Sequence, residues 1–329
     1  MSNLQISLAI GEYDHVRDVL DGTVPVAGVD LTVLRLPIEE IFYRSTFFRE
    51  FDVSEMSFAK VIALASGEDR GFVPLPVFPS RVYRQSSIFV RTDSPLARLE
   101  DLAGKRIGVP EWAQTAAVYS RGALAHEHAV DLRSIQWFQA GVNDAGRKEK
   151  VRLELPAGLN LTVVADRSLT QMLLDGTLDA VFSARPPRPF VTGDGSVRRL
   201  LANYHEIEYE YGRKTGIFPI MHVVALRRDV FEQHRWLAMN LLRAFDEAKN
   251  RSVARARDAT ASFFPLPWTP HLMERSSALL GADPWPYGVD ANRTTLEAFA
   301  QYAFEQGVCA RRIELDELFP QEVRSSFKI

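Results

Sequence analysis

Two phrases constrain this chain more than any others: Leu99-Glu-Asp-Leu-Ala-Gly-Lys-Arg-Ile-Gly-Val-Pro110 and, later, Leu174-Asp-Gly-Thr-Leu-Asp-Ala-Val-Phe-Ser-Ala184. Each sets a polar lead-in before a short apolar run, Ile107–Val109 in one and Ala180–Phe182 in the other. Short apolar runs bounded by turn signals read as buried strands. Each strand empties into a segment suited to an anion. After Val109 comes Pro-Glu-Trp-Ala-Gln-Thr and then a helical run to His128. A helix starting at Gln114 or Thr115 presents unpaired backbone N–H groups and a partial positive charge to a carboxylate. Glu111 and Thr115 are therefore candidates for ligand binding.

The same pattern recurs on either side. Gln5–Ile10, Val29–Leu34 and Asp52–Met56 read as strands. Ile38–Glu50, with Ile41, Phe42 and Phe48 on one face, reads as a helix. Arg81–Arg91 reads as one extended stretch. A restart at Thr92 leads to strands 107–109, 161–164 and 180–182 and helices 115–128 and 168–174. His222–Leu226 is again apolar and extended, and helices follow over 229–256, 270–280 and 292–306. Strands alternating with helices predict βαβ units in largely parallel sheets. Crossings at 88–92 and 219–224 divide the chain into two lobes. One comprises residues 1–90 with 223–329, including the C-terminal helices; the other is 91–222. Two crossings make a hinge around a cleft. The 329 residues suffice for two cores. The expected class is α/β, two-lobed, with a helical C-terminal part.

Composition narrows the function. A net charge of −3 and a pI near 6.2 argue against a nucleic-acid partner. They leave a small anion open, because local arginines decide that. The single cysteine, Cys309, can form neither an intramolecular disulfide nor a thiolate metal cluster. It reads as a small buried residue near a helix end. The start, Met-Ser-Asn-Leu-Gln-Ile, lacks the basic and apolar regions of a secretory signal. No apolar run approaches the roughly 20 residues that cross a bilayer. The expectation is a cytoplasmic protein without a membrane partner, with a homo-oligomer left open.

In open α/β sheets, ligands bind beyond the carboxyl ends of the strands. Past the first strand stand Tyr13, Asp14, His15 and Arg17, although Asp14 could equally cap the following helix. Ser57 follows the third strand and can cap its helix, bind a ligand, or both. In an extended segment, Arg81, Tyr83 and Gln85 share one face, and Val82, Arg84 and Ser86 the other. One of the two arginines can then face the cleft while the other is solvated. A guanidinium grips a carboxylate in a planar fork. Prolines stiffen the run Ser183-Ala-Arg-Pro-Pro-Arg-Pro189, which makes Arg185 a second carboxylate anchor. His222 lies at the return crossing, and imidazole readily gives or takes a proton near neutral pH. The segment Asp283-Pro-Trp-Pro-Tyr-Gly-Val-Asp-Ala-Asn292 could wall a ring-binding pocket with Trp285 and Tyr287, or lead into a helix.

Other chemistry finds no support. His126 and His128 diverge by about 200° around a helix and cannot converge on one metal ion. No zinc-helix, dithiol, Walker, dinucleotide or nucleophile-elbow motif occurs. Asp14, Glu111 and His222 could join a divalent ion, but no ligand cluster stands out. The expectation is no metal and no cofactor.

The phrases 99–110 and 174–184 resemble the second lobe of type II periplasmic-binding-protein-like folds. Together with Tyr13-Asp14…Arg17, Pro79-Ser80-Arg81…Arg84-Gln85-Ser86-Ser87, Thr215-Gly-Ile-Phe-Pro-Ile-Met-His222 and the 283–292 segment, the chain resembles 4,5-dihydroxyphthalate decarboxylases over nearly its full length. That resemblance implies the two-lobed fold used as an enzyme. The implied reaction is non-oxidative loss of CO2 from 4,5-dihydroxyphthalate, giving protocatechuate. On that reading we expect Arg81 and Arg185 to hold a carboxylate, assisted by the helix start at Thr115. Asp14 or His15 would take a ring-hydroxyl proton, and His222 would protonate the carbon that loses CO2. The alternative is a binding protein for a small aromatic carboxylate, without catalysis.

Overall fold

The structure, a computed structural model, describes residues 2–324. In β1 (Leu4–Ile10), Ile6, Leu8 and Ile10 share a buried face, the period of two that a strand requires. It pairs in parallel with β2 (Val29–Arg35) and β3 (Val53–Ser57). β4 (Phe72–Pro74), β5 (Ser80–Arg81) and β3 all pair antiparallel with β12 (Ile220–Arg227), which completes a six-stranded sheet. Helices α1 (Arg17–Leu20), α2 (Ile38–Phe48) and α3 (Phe58–Ser66) fill its connections.

The second six-stranded sheet runs in the order β11, β6, β10, β7, β8, β9. Its strands are β6 (Ile88–Arg91), β7 (Arg106–Val109), β8 (Gln136–Gln139), β9 (Asn160–Val163), β10 (Ala180–Phe182) and β11 (Val197–Arg199). Strands β10, β7, β8 and β9 are parallel, while β6 is antiparallel to β10 and β11. With them go α4 (Thr115–His128), α5 (Leu169–Leu174), α6 (Arg188–Thr192) and α7 (Tyr204–Thr215). A capping box starts α5: Ser168 Oγ accepts from Gln171 N–H, and Gln171 Oε1 accepts from Ser168 N–H.

The C-terminal part comprises α8 (Arg228–Gln233), α9 (Trp236–Arg257), α10 (Thr269–Leu280), α11 (Arg293–Glu305) and α12 (Leu315–Leu318). It ties the sheets together. α11 packs on both α3 and α4. Gln306 joins them further: its backbone carbonyl accepts from Trp112 Nε1 at 2.7 Å, and its Oε1 accepts from Arg121 Nε at 2.7 Å. Gly122 of α4 leaves room for the Tyr302 ring, which a Cβ would meet at 2.3 Å. Cys309 is buried just past α11, and burial pushes its thiol up to about 12. No described helix is long and apolar enough to cross a membrane.

Three readings change. Arg81–Arg91 is not one extended stretch: a 3-10 turn over Gln85–Ser87 separates β5 from β6, held where Ser86 N–H donates to Glu208 of α7. The alternation of faces inferred for Arg81 and Arg84 therefore does not apply. The helix expected over 229–256 breaks at His234 between α8 and α9. The polar run 204–215, for which the sequence predicts no element, is a helix. Strand membership puts the crossings at 82–87 and 200–219, so lines drawn after 90 and 222 pass through β6 and β12. We propose a division into 2–87 with 220–324, and 88–219. Residue 1 and residues 325–329, grouped with the first lobe, lie outside the described residues.

Candidate active site

A cavity of about 270 Å³ lies between the two sheets. From the first sheet come Ser57 at the end of β3, His222 and Met221 on β12, Lys60 on α3, and Ile38, Glu39 and Phe42 on α2. From the second come the residues just past β7, β8 and β10, among them Glu111, Thr115, Arg147 and Ser183. These are the carboxyl ends of strands, where an α/β sheet leaves room for a ligand. The walls meet at a hydrogen bond of 3.0 Å between Ser57 Oγ and Thr115 Oγ1.

His222 owes its orientation to Glu55. The register of β12 on β3 sets His222 opposite Ser57 and Val224 opposite Glu55. Glu55 is completely buried, and a buried carboxyl group needs donors. Gly11 N–H and Tyr13 O–H supply two, at 2.9 and 2.7 Å. His222 Nδ1 supplies the third at 2.5 Å. The carboxylate is an acceptor, so Nδ1 carries the hydrogen. Nε2 has no partner among the described residues, on a ring that forms part of the cavity wall. Phe42 packs edge-on against the imidazole at 4.9 Å. This is the arrangement of a proton donor held from behind. Tyr13 completes the support rather than the wall: burial, then the Glu55 charge, push its phenol far above the usual range.

The wall carries five cationic side chains, Lys60, Arg84, Arg147, Lys150 and Arg185, against three carboxylates, Glu39, Glu111 and Glu149. Arg147 and Lys150 both pair with Glu111, at 2.7 and 2.9 Å. Burial, then the Glu111 charge, raise the neighbouring Glu149 carboxyl. Arg185 reaches across the mouth to Glu39 at 2.6 Å but is mostly exposed. Arg84 differs from these. Its Nε lies 3.1 Å from Met221 Sδ and its Nη1 3.5 Å from Ser87 Oγ. No carboxylate forms an ion pair with it among the described residues, and burial pushes the guanidinium down to about 10 against the opposing charge of Glu208. Lys60 Nζ, Gln114 Oε1 and Ser183 Oγ, all on cavity-lining residues, are buried without partners among the described residues.

Several expected site residues lie elsewhere. Arg81 is a structural cation: it donates to Asn292 Oδ1 at 2.7 Å, Phe218 O at 2.8 Å and Pro286 O at 3.3 Å. Asp14 is engaged by Ser252, Arg255 and Arg17. Those contacts hold its carboxyl below the usual range against the opposing effect of partial burial, and it is not a base for the cavity. Arg17 is half-exposed on the same surface. His15 packs between Tyr13 and Trp285, and burial pushes its imidazole down to about 4, which keeps it neutral. Tyr287 is buried against Phe78, and Trp285 Nε1 donates to Phe78 O, so the 283–292 segment is core rather than a ring-binding wall. The cavity thus gathers His222, Ser57, Arg84, Glu111, Thr115 and Arg185 of the candidates.

Glu55, Lys60, Arg147 and Lys150 were not foreseen. Glu55 interrupts Val53-Ser-Glu-Met-Ser57, and Lys60 interrupts the apolar run Phe58-Ala-Lys-Val-Ile-Ala-Leu64. A single charge within a buried element is the signal that could have found both.

Comparison with known proteins bears on the chemistry. The chain is 36% identical over 330 residues to a 4,5-dihydroxyphthalate decarboxylase of Comamonas testosteroni, covering 100% of both chains. It is 36% identical over 201 residues to a 4,5-dihydroxyphthalate decarboxylase of Pseudomonas putida, covering 61% of this chain and 78% of that one. No family profile matches. Among solved structures, the periplasmic aliphatic sulphonate binding protein SsuA of Escherichia coli superposes with a TM-score of 0.55 at 13% identity, covering 98% of this chain and 99% of that one. A desulfurization enzyme, DSZB, in complex with biphenyl-2-sulfinic acid, gives 0.51 at 19% identity, covering 96% and 97%. At such identities the structural likeness speaks for the fold alone: α/β, two-lobed and periplasmic-binding-protein-like.

Proposed function

The chain belongs to the 4,5-dihydroxyphthalate decarboxylase family, and we propose that it removes CO2 from 4,5-dihydroxyphthalate in the cavity at His222. It is a carboxy-lyase. In this substrate a ring hydroxyl lies para to each carboxylate and pushes electron density onto the carbon that bears it. Protonation of that carbon interrupts aromaticity. Departure of CO2 leaves the bonding electron pair with the ring and restores it. One proton enters and one CO2 leaves, so the product is 3,4-dihydroxybenzoate, protocatechuate.

His222 Nε2 is the proton donor in this reading. Glu55 is a positioning residue: its hydrogen bond to Nδ1 fixes the orientation of the imidazole. Arg84, lacking a carboxylate partner, anchors the dicarboxylate edge of the substrate. The predominance of basic over acidic side chains on the wall suits an anionic substrate. General acid catalysis supplies about 10²–10⁴-fold. Positioning and exclusion of water between the lobes supply the rest. The observation that carries the reading is the buried Glu55–His222 contact of 2.5 Å at the wall of a cavity rich in cations. Both chemical tasks fall to side chains, so the reading invokes no cofactor.

The test is incubation of the purified protein with 4,5-dihydroxyphthalate, following CO2 and protocatechuate. Turnover is expected, and equal turnover after treatment with a chelator. Binding of the substrate without CO2 release would overturn the proposal in favour of a non-catalytic binding protein. As an enzyme of this kind we place it in the cytoplasm, which cell fractionation checks.

A further inference from the structure

We propose that Lys60, beside the start of α4, takes the proton from the ring hydroxyl para to the departing carboxylate and holds the resulting oxyanion. The inference rests on the decarboxylase reading and extends it to the electron-donating end of the substrate.

Lys60 stands on α3 among Phe58, Ala59, Val61 and Ile62, all buried. It is itself only 5% exposed, and its Nζ has no hydrogen-bond partner among the described residues. Its nearest aromatic face is Phe47 at 5.6 Å. The charges that act on it are cavity groups: Lys150 and Glu149 from the segment beyond β8, and Glu111 from the β7–α4 connection. Arg84, Arg147, Arg185, Glu39 and His222 complete the charged and titratable lining of the cavity. A buried ammonium without a partner is costly, and burial pushes Lys60 down to about 8. A neutral amine is therefore within reach near neutral pH.

The helix supplies the second element. α4 is 14 residues long, and Gln114 gives its first N–H groups no side-chain cap. Gln114 Oε1 is itself a buried acceptor without a partner among the described residues. This end of the cavity thus combines an unpaired lysine nitrogen, an open helix start and acceptors, Gln114 Oε1 with the carboxyls of Glu111 and Glu149. Acceptors suit a hydroxyl, which donates, and disfavour a carboxylate, which cannot. Once the hydroxyl ionises, ammonium and helix dipole both stabilise the anion. The carboxylates then face Arg84.

The proton balance closes. The Lys60 amine accepts the hydroxyl proton, and the oxygen lone pair moves into the ring. His222 protonates the para carbon. The bond to the carboxylate breaks, CO2 leaves, and its electron pair returns through the ring to the oxygen. The oxygen regains its proton from Lys60, and His222 regains one from water.

Protocatechuate retains both hydroxyls and serves as the probe. Titrated into the full chain across pH, it reports ionisation through the red shift of its ultraviolet band. Bound to the unaltered protein, it should ionise at least about one pH unit below the free ligand, a tenfold change in acid constant. Lys60→Met should abolish that shift, and Lys60→Arg should restore part of it. Arg84→Met should keep it at saturating ligand. An unaltered protein that binds the probe without moving its ionisation, or a Lys60→Met protein with the same shift, overturns the assignment. The first of these needs no variant, so misfolding cannot obscure it. Turnover without the shift ends the role of Lys60 alone, whereas absence of turnover ends the decarboxylase reading.

Discussion

Arg81 and Arg84 lie on one short segment, and burial pushes both guanidinium groups down to about 10. They serve opposite ends. Arg81 spends both terminal nitrogens on an asparagine and two backbone carbonyls, leaves only its enclosed Nε without a partner among the described residues, and fastens β5 to the 283–292 segment. Arg84 meets a thioether and a hydroxyl at the cavity wall. Burial is common to both and marks no site. What separates the two is where the free donors lie: Arg84 lines the cavity, whereas Arg81 lies outside it with both terminal nitrogens engaged.

The largest effect is expected behind the His222 imidazole. Replacing Glu55 by Gln keeps the shape of the site but changes what His222 Nδ1 meets. A fall in kcat of about 10–100-fold is expected, with little change in KM and a displaced pH profile. The comparison itself is tested by parallel substitutions. Arg81→Met strands Asn292 Oδ1 and two carbonyls, and should lower stability by about 3 kcal/mol while leaving KM of the folded protein unchanged. Arg84→Met should raise KM about tenfold or more and leave the melting temperature near that of the unaltered protein. If the two outcomes exchange places, the distinction is lost.

Acid pH sharpens the same point through a buried group that does not face the ligand. His15 stays neutral in the folded protein until about pH 4, whereas in the unfolded chain it takes a proton near pH 6.5. Between those values the unfolded state binds more protons, so stability falls as the pH is lowered through that window. A His15→Gln protein should lose less stability there, as denaturant titrations at pH 7 and 5 would show. The smallest effect belongs to the exposed pair at the mouth. Arg185→Ala should change stability by no more than about 0.5 kcal/mol.

Much of the fold was legible. The helix at Thr115–His128 and the strand at Ala180–Phe182 stand where their phrases placed them. Periodicity and caps are local, and these elements obey local rules. The turn at Gln85–Ser87 does not, because Glu208 of α7 captures Ser86 N–H from far along the chain. The site was legible in part. Ser57 and Arg185 could be placed beyond strand ends, Thr115 at a helix start and His222 at the return crossing. Glu55 was not, because a carboxylate in a strand reads as its solvated face, and only the pairing of β3 between β1 and β12 buries it. Asp14 sits in the right place by topology, but α9 supplies Arg255 and Ser252 and takes it out of contention.

The most direct test is a crystal structure with phthalate bound, since that molecule carries both carboxylates and lacks the hydroxyls that drive turnover. The account predicts a carboxylate against the Arg84 guanidinium and the carbon bearing a carboxylate turned toward His222 Nε2. Phthalate lodged outside the cleft, with Arg84 still facing only Met221 and Ser87, would contradict it.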